Sequence, residues 1–251
     1  PCVIRLKGFS MVSPPKNDSE ELNIYLSYLP NGNLNKVVRE DFKREEKILT
    51  PTIRTKIIYG IASAMSYLHK INIIHRDLKL ENIFLDKNFN PVIIYPDLVR
   101  TFDNYNRIFP LRSPYYMAPE LILTKDDDEY LTMKIDVYAF AVTLLSLFTD
   151  SLRFKNKRVR NLSDFEEAIK KGLRYVIPEE VPEFYASLIQ RCWDDNPEKR
   201  PSFEEIVNEF EYNDAFMLDG SDAEEVRRFI DYIKQNTIDH MNQNIEFDFG
   251  D

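Results

Sequence analysis

The chain has 251 residues, of which 43% are hydrophobic and 30% charged, with a net charge of −9. That length can bury a real core in one large domain or two small ones, and the acidic balance argues against nucleic acid as a partner. Two cysteines, Cys2 and Cys192, give no disulfide framework and fit a reduced, cytoplasmic setting, and no apolar run approaches the ~20 residues of a membrane span.

The chain opens on Pro1-Cys2 with no initiator methionine, as a fragment or processed product would. CVIRLKGF (2–9) reads as a strand, SPPKNDSEE (13–21) as a polar loop, and LNIYLSYL (22–29) as a second strand. PNGN (30–33) is turn chemistry. Ile53, Ile57, Ile61, Met65 and Leu68 recur every three or four residues, which predicts one buried face of a helix over about 50–70. Two short strands, 82–85 and 91–94, follow around DKNFN, and residues 101–116 are irregular. Helices are predicted at 117–124, 132–149, 163–171, 182–192 and 202–211. A last one begins near Asp222 with Val226, Phe229, Ile230 and Ile233 as its apolar stripe, most simply packed against the rest. Strands first, helices afterwards, is an α+β arrangement. Trp193, a lone large aromatic, is expected in the core.

HRDLKLEN (75–82) carries the chemistry. Phosphoryl transfer to a hydroxyl needs a carboxylate for the nucleophile's proton, a cation near the migrating phosphate, and oxygen ligands for Mg²⁺. Asp77, Lys79 and Asn82 supply those types within six residues, between a helix and a strand. The octet resembles the catalytic loop of protein kinases. The resemblance extends to RSPYYMAPE (112–120), similar to the end of an activation segment, and to IDVYAFAVTLL (135–145). It includes CWDDNPEKRPSFEEI (192–206), similar to the closing motif of tyrosine-kinase and tyrosine-kinase-like domains, and YLPNGNL (28–34), similar to the hinge.

The resemblance implies a protein-kinase-like fold over 1–211: a small-lobe remnant and hinge in 1–29, a helical lobe in 30–211, and a helical tail over 212–251. It implies ATP and Mg²⁺ as cofactors, a protein substrate or signalling partner, and Ser/Thr rather than Tyr as acceptor, from Lys79 and from Ser113 in the usual Thr place. Asp77 would be the base, Lys79 would touch the γ-phosphate and Asn82 would bind Mg²⁺. Leu26 would be the gatekeeper, Ser27 and Leu29 would offer hinge backbone groups, and Phe84 would lie under adenine. His75 and Arg76 would be structural. Glu120 would pair with Arg200, and Asp136 would accept hydrogen bonds from the catalytic-loop backbone. Thr101, Tyr105, Ser113, Tyr115 and Tyr116 would lie in the activation segment as candidate phosphorylation sites.

The sequence departs from the pattern in three places. Its six glycines form no G-x-G and no V-A-I-K is present, so the glycine loop and the ATP-pairing lysine would precede Pro1. Thirteen residues after Asn82, Tyr95-Pro96-Asp97 stands without a gap where Asp-Phe-Gly is expected. A phenol with an ordinary pKa near 10 is a poor Mg²⁺ ligand, Pro96 lacks an N–H, and Asp97 sits about 6–7 Å further along an extended chain. Arg112 and Ala141 replace common glycines; Ala141 suits a helix. These departures predict impaired catalysis, or a kinase-like scaffold that binds partners.

Overall fold

One apolar run at the start of the chain serves two sheets. In the computed structural model, which describes residues 2–12, 21–94, 114–124, 132–155 and 159–242, the single strand expected over 2–9 is divided. Residues 2–4 lie parallel to β4 (Pro91–Ile93), with Ile4 N–H donating to Ile93 O at 2.9 Å and Ile93 N–H to Cys2 O at 2.8 Å. The chain then pairs antiparallel over β1 (Leu6–Val12) with β2 (Glu21–Leu26), after a register shift between Leu6 and Gly8. Period-2 alternation reports which face a residue takes but not where a strand changes partner, so the division is invisible in sequence. β3 (Ile83–Leu85) and β4 form the second antiparallel pair, burying Ile83, Leu85 and Ile93 and turning Phe84 and Val92 the other way.

The helices build the larger part. α1 (Leu34–Lys43) was not anticipated, although Leu34, Val37, Val38 and Phe42 stand at helical spacing and Asn33 caps it by accepting from Lys36 N–H at 2.9 Å. Gly32, at φ +70°, gives the turn before it a conformation that other residues adopt with strain. α2 (Pro51–Lys70) starts on a Thr50 cap with Pro51 in its first turn and buries Ile57, Ile61, Met65 and Leu68. Arg54 ties it to Asp41 of α1 at 3.0 Å, and Asp41 also accepts the backbone N–H groups of Ile48 and Leu49.

α3 (Pro119–Thr124) precedes α4 (Lys134–Phe148), which is buried from Ile135 to Leu147 and forms the axis of the core. A helix apolar on every side belongs inside a domain. α5 (Leu162–Lys170), α6 (Glu183–Cys192) and α7 (Phe203–Tyr212) surround it. α7 begins on a capping box in which Ser202 and Glu205 satisfy each other's backbone N–H groups. Trp193 is buried where α6 ends. The last helix, α8 (Ala223–Asn242), buries Val226, Phe229, Ile230 and Ile233. Helices set apart from small antiparallel pairs make an α+β fold. Among the described residues no helix is long and apolar enough to cross a membrane.

Candidate active site

The loop 75–82 links α2 to β3 and is fastened from beneath by one buried carboxylate. Asp136, in the first turn of α4, accepts three hydrogen bonds: from His75 N–H at 2.7 Å, Arg76 N–H at 2.8 Å and His69 Nε2 at 2.9 Å. Arg76 takes φ +67°, a left-handed conformation that costs a non-glycine residue about 1–3 kcal/mol. The bond to Asp136 holds its N–H in that kink. His75 works in the other direction. Its Nδ1 accepts from Asp77 N–H at 3.3 Å, so the proton sits on Nε2, which donates to Ile94 O at 3.1 Å. Ile94 in turn donates its N–H to Asn82 O at 2.9 Å.

On this frame three side chains converge. Asn82 Nδ2 donates to Asp77 O at 2.7 Å and to Asp77 Oδ2 at 2.8 Å. Lys79 Nζ lies 2.9 Å from the same Oδ2. Asp77 Oδ1 accepts no hydrogen bond from any described residue, and the side chain is part-buried. Among the described residues one carboxylate oxygen is thus fixed and the other takes no donor. Asn82 Oδ1 likewise accepts no hydrogen bond from any described residue. It is one suitable hard ligand for a divalent cation. The position that would add a carboxylate, Tyr95-Pro96-Asp97, lies outside the described residues, as do Thr101, Tyr105, Arg112 and Ser113.

Leu26 ends β2, and Ser27 and Leu29 follow it, both half-buried. Leu29 O accepts Gly32 N–H at 3.1 Å, which closes the turn that follows β2. Leu85 N–H donates to Gly32 O at 2.9 Å, and this bond brings the turn onto β3 beside Phe84. Arg200, 1% exposed, makes a two-pronged pair with Glu120 at 2.6 and 2.9 Å and donates to Asp194 O and Lys134 O. The Glu120 pair connects the segment ending at α3 to the entry of α7. Tyr115 is exposed and packs edge-on against Phe165 at 5.2 Å. The Tyr116 phenol is half-buried. Its pKa is raised to about 12, chiefly by burial, with Glu81 and Asp77 adding to the rise and the Ser146 hydroxyl opposing it.

His69 is the participant that the sequence reading missed. It follows Leu68, the last residue of the α2 stripe, and its ring stands edge-on to Phe203 at 5.1 Å. The available signal was its place in the last turn of α2, six residues before His75.

A carboxylate braced by an amide and an ammonium, on a loop pinned to the core, has the residue types of a protein that moves phosphoryl groups onto hydroxyls. The sequence matches the protein kinase domain family over residues 1–210. The chain belongs to that family, whose members use ATP and Mg²⁺ and act on protein substrates. It is 32% identical over 187 residues to a probable serine/threonine-protein kinase of Dictyostelium discoideum, covering 74% of this chain and 14% of that one. It is 31% identical over 180 residues to the RGS domain-containing serine/threonine-protein kinase A of the same organism, covering 72% of this chain and 15% of that one. With the organism's dual specificity protein kinase pyk3 it shares 29% identity over 226 residues, 90% of this chain and 16% of the relative. The chain therefore spans about a seventh of the length of these relatives.

Proposed function

We propose that the chain contributes the catalytic lobe of a Ser/Thr protein kinase of the tyrosine-kinase-like group, with phosphoryl transfer impaired at the position of the Mg²⁺-binding aspartate. The observation that carries the kinase reading is the Asp77–Lys79–Asn82 constellation. Asp77 Oδ1 accepts the hydrogen bond of a substrate hydroxyl and receives its proton, while Asn82 and Lys79 hold Oδ2 and keep the carboxylate oriented. Lys79 balances the charge that collects on this side of the site. Asn82 Oδ1 is the described oxygen that would hold Mg²⁺, and Leu26, Ser27, Leu29 and Phe84 would surround the adenine. Mg-ATP supplies the phosphoryl group and the cation that neutralises it. The domain extends over 1–211 with 212–251 as a tail, and Lys79 and Ser113 favour Ser or Thr as acceptor.

The impairment rests on Tyr95-Pro96-Asp97, where the sequence offers a phenol in place of a carboxylate. The same stretch favours a second reading, a pseudokinase that works through its surfaces. Two measurements on the product of the natural gene separate them. Weak phosphorylation of a generic Ser/Thr substrate that disappears in Asp77→Asn supports the impaired kinase. Activity equal in wild type and Asp77→Asn, with no Mg²⁺-dependent thermal shift from ATP, overturns it in favour of the scaffold. Tyr95→Asp with Pro96→Phe and Asp97→Gly is expected to raise Mg²⁺-dependent ATP binding.

A further inference from the structure

The family match ends at residue 210, yet the fold continues into a helix that α2 is built to receive. Thr52, Thr55, Lys56 and Tyr59 lie along one side of α2 at spacings of three, one and three residues, and all four are buried. Every one finds a partner in residues 211–225. Thr52 Oγ1 accepts Asp222 N–H at 2.9 Å. Thr55 Oγ1 accepts Leu218 N–H at 3.2 Å and meets Ser221 Oγ at 3.1 Å. Lys56 Nζ pairs with Glu225 at 2.6 Å and stands over the Phe229 ring. Tyr59 OH donates to Glu211 Oε1 at 2.9 Å, and Lys234 of α8 takes the other oxygen at 2.7 Å. Phe229 meets Tyr59 edge-on. Buried polar groups left without these partners would each be penalised, so the stripe and the tail fit as a pair.

The next residue of α2 faces a different neighbour. Gly60 has no room for a side chain: a Cβ there would come within 2.5 Å of Pro91 and 3.2 Å of Cys2 Sγ. Pro91 opens β4, and Cys2 belongs to the segment hydrogen-bonded to β4 through Ile93 and Ile4. Tyr59 therefore presses on the tail while Gly60 presses on the anchor of the β1–β2 hairpin. Two turns beyond Phe229, Thr237 lines a cavity of about 160 Å³ whose other walls are residues 2–5 and, from α2, Ser63, Ala64 and Tyr67.

We propose that α8, together with the segment 218–222 that leads into it, is a strap: its docking on α2 through Thr52, Thr55, Lys56 and the Tyr59 ring sets how α2 receives Cys2 and Pro91, and so couples the tail of the chain to the anchor of the hairpin that carries the hinge. A partner or modification that lifts α8 then loosens the hinge without touching the catalytic loop. The inference is independent of the phosphoryl-transfer reading, and its test uses no activity.

The test is residue-resolved amide hydrogen exchange. Val226→Asp with Ile233→Asp removes the apolar side of the strap; Glu225→Lys opposes Lys56, and Lys56→Glu added to Glu225→Lys exchanges the charges. With the strap lifted, seen from loss of protection within α8, the Ile4 and Ile93 amides are expected to exchange at least about tenfold faster. The Arg200 amide, bonded to Pro197 O in a residue that makes no hydrogen bond to α8 or to residues 2–4, should keep its wild-type rate. The exchanged pair should regain at least part of the protection lost in Glu225→Lys. Loss of protection in α8 with Ile4 and Ile93 unchanged would overturn the proposal, leaving α8 a passive attachment. Equal acceleration at Ile4, Ile93 and Arg200 would overturn it as well, because that is general destabilisation. If the aspartate pair prevents folding, the charge variants alone give the decision.

Discussion

Asp136 does more than any other single side chain to shape the site. Its two oxygens receive three N–H groups, two of them from the backbone of the 75–82 loop. Asparagine has nearly the same shape but one accepting oxygen, and its amide would turn N–H groups toward donors. Asp136→Asn is expected to cost about 3 kcal/mol in urea unfolding and to disorder the Arg76 kink, with Arg76 and Asp77 amides losing exchange protection. Asp77, Lys79 and Asn82 were legible in sequence because they lie on one short loop, where spacing nearly fixes geometry. The resemblance likewise pointed to Asp136 and to Glu120 with Arg200. His69 had only its place in the last turn of α2 as a signal, because its partner is 67 residues away and only the packing of α2 on α4 joins them.

Among the elements, α2 was legible on one side only. The isoleucine stripe announces a buried face, whereas Thr52, Thr55 and Lys56 read as a solvated one until the tail covers them. Helix periodicity reports which residues are apolar, and a face buried through hydrogen bonds is silent to it. α1 was legible, since Leu34, Val37, Val38 and Phe42 repeat at helical spacing, whereas the division of the first strand was not, because alternation does not report a change of partner. Gly60 gives this scale its prediction. Alanine is the better helix former, by about 1 kcal/mol in isolation. Here the added carbon meets Pro91, and overpacking costs about 1–3 kcal/mol. Gly60→Ala is therefore expected to lower urea stability by about 1 kcal/mol or more, and adding Pro91→Ala should recover part of the loss. A stabilised Gly60→Ala would mean that β4 yields at no cost.

Across the whole molecule the burial is uneven. The helical part holds nearly all of the core, whereas the β1–β2 hairpin leaves Phe9 67% exposed and Tyr28, just past it, 87% exposed, with Leu6 and Tyr25 also in solvent. Two strands alone are marginal in water, and adjoining exposed apolar groups favour association. Phe9→Lys with Tyr28→Lys is expected to reduce self-association in light scattering while changing stability by less than about 0.5 kcal/mol. A drop of several kcal/mol would show that these rings pack against something the protein keeps folded.

The double hold on Ile94 has a meaning in the language of genes. Its N–H is bonded to Asn82 and its C=O to His75, so the residue before position 95 is fixed by a backbone carbonyl and by a histidine ring. None of those bonds depends on what side chain follows. Tyrosine and aspartate codons differ by a single nucleotide. A carboxylate at position 95 is therefore one point mutation away in the gene, and a lineage carrying this fold could acquire it while the bonds that hold Ile94 stay as they are.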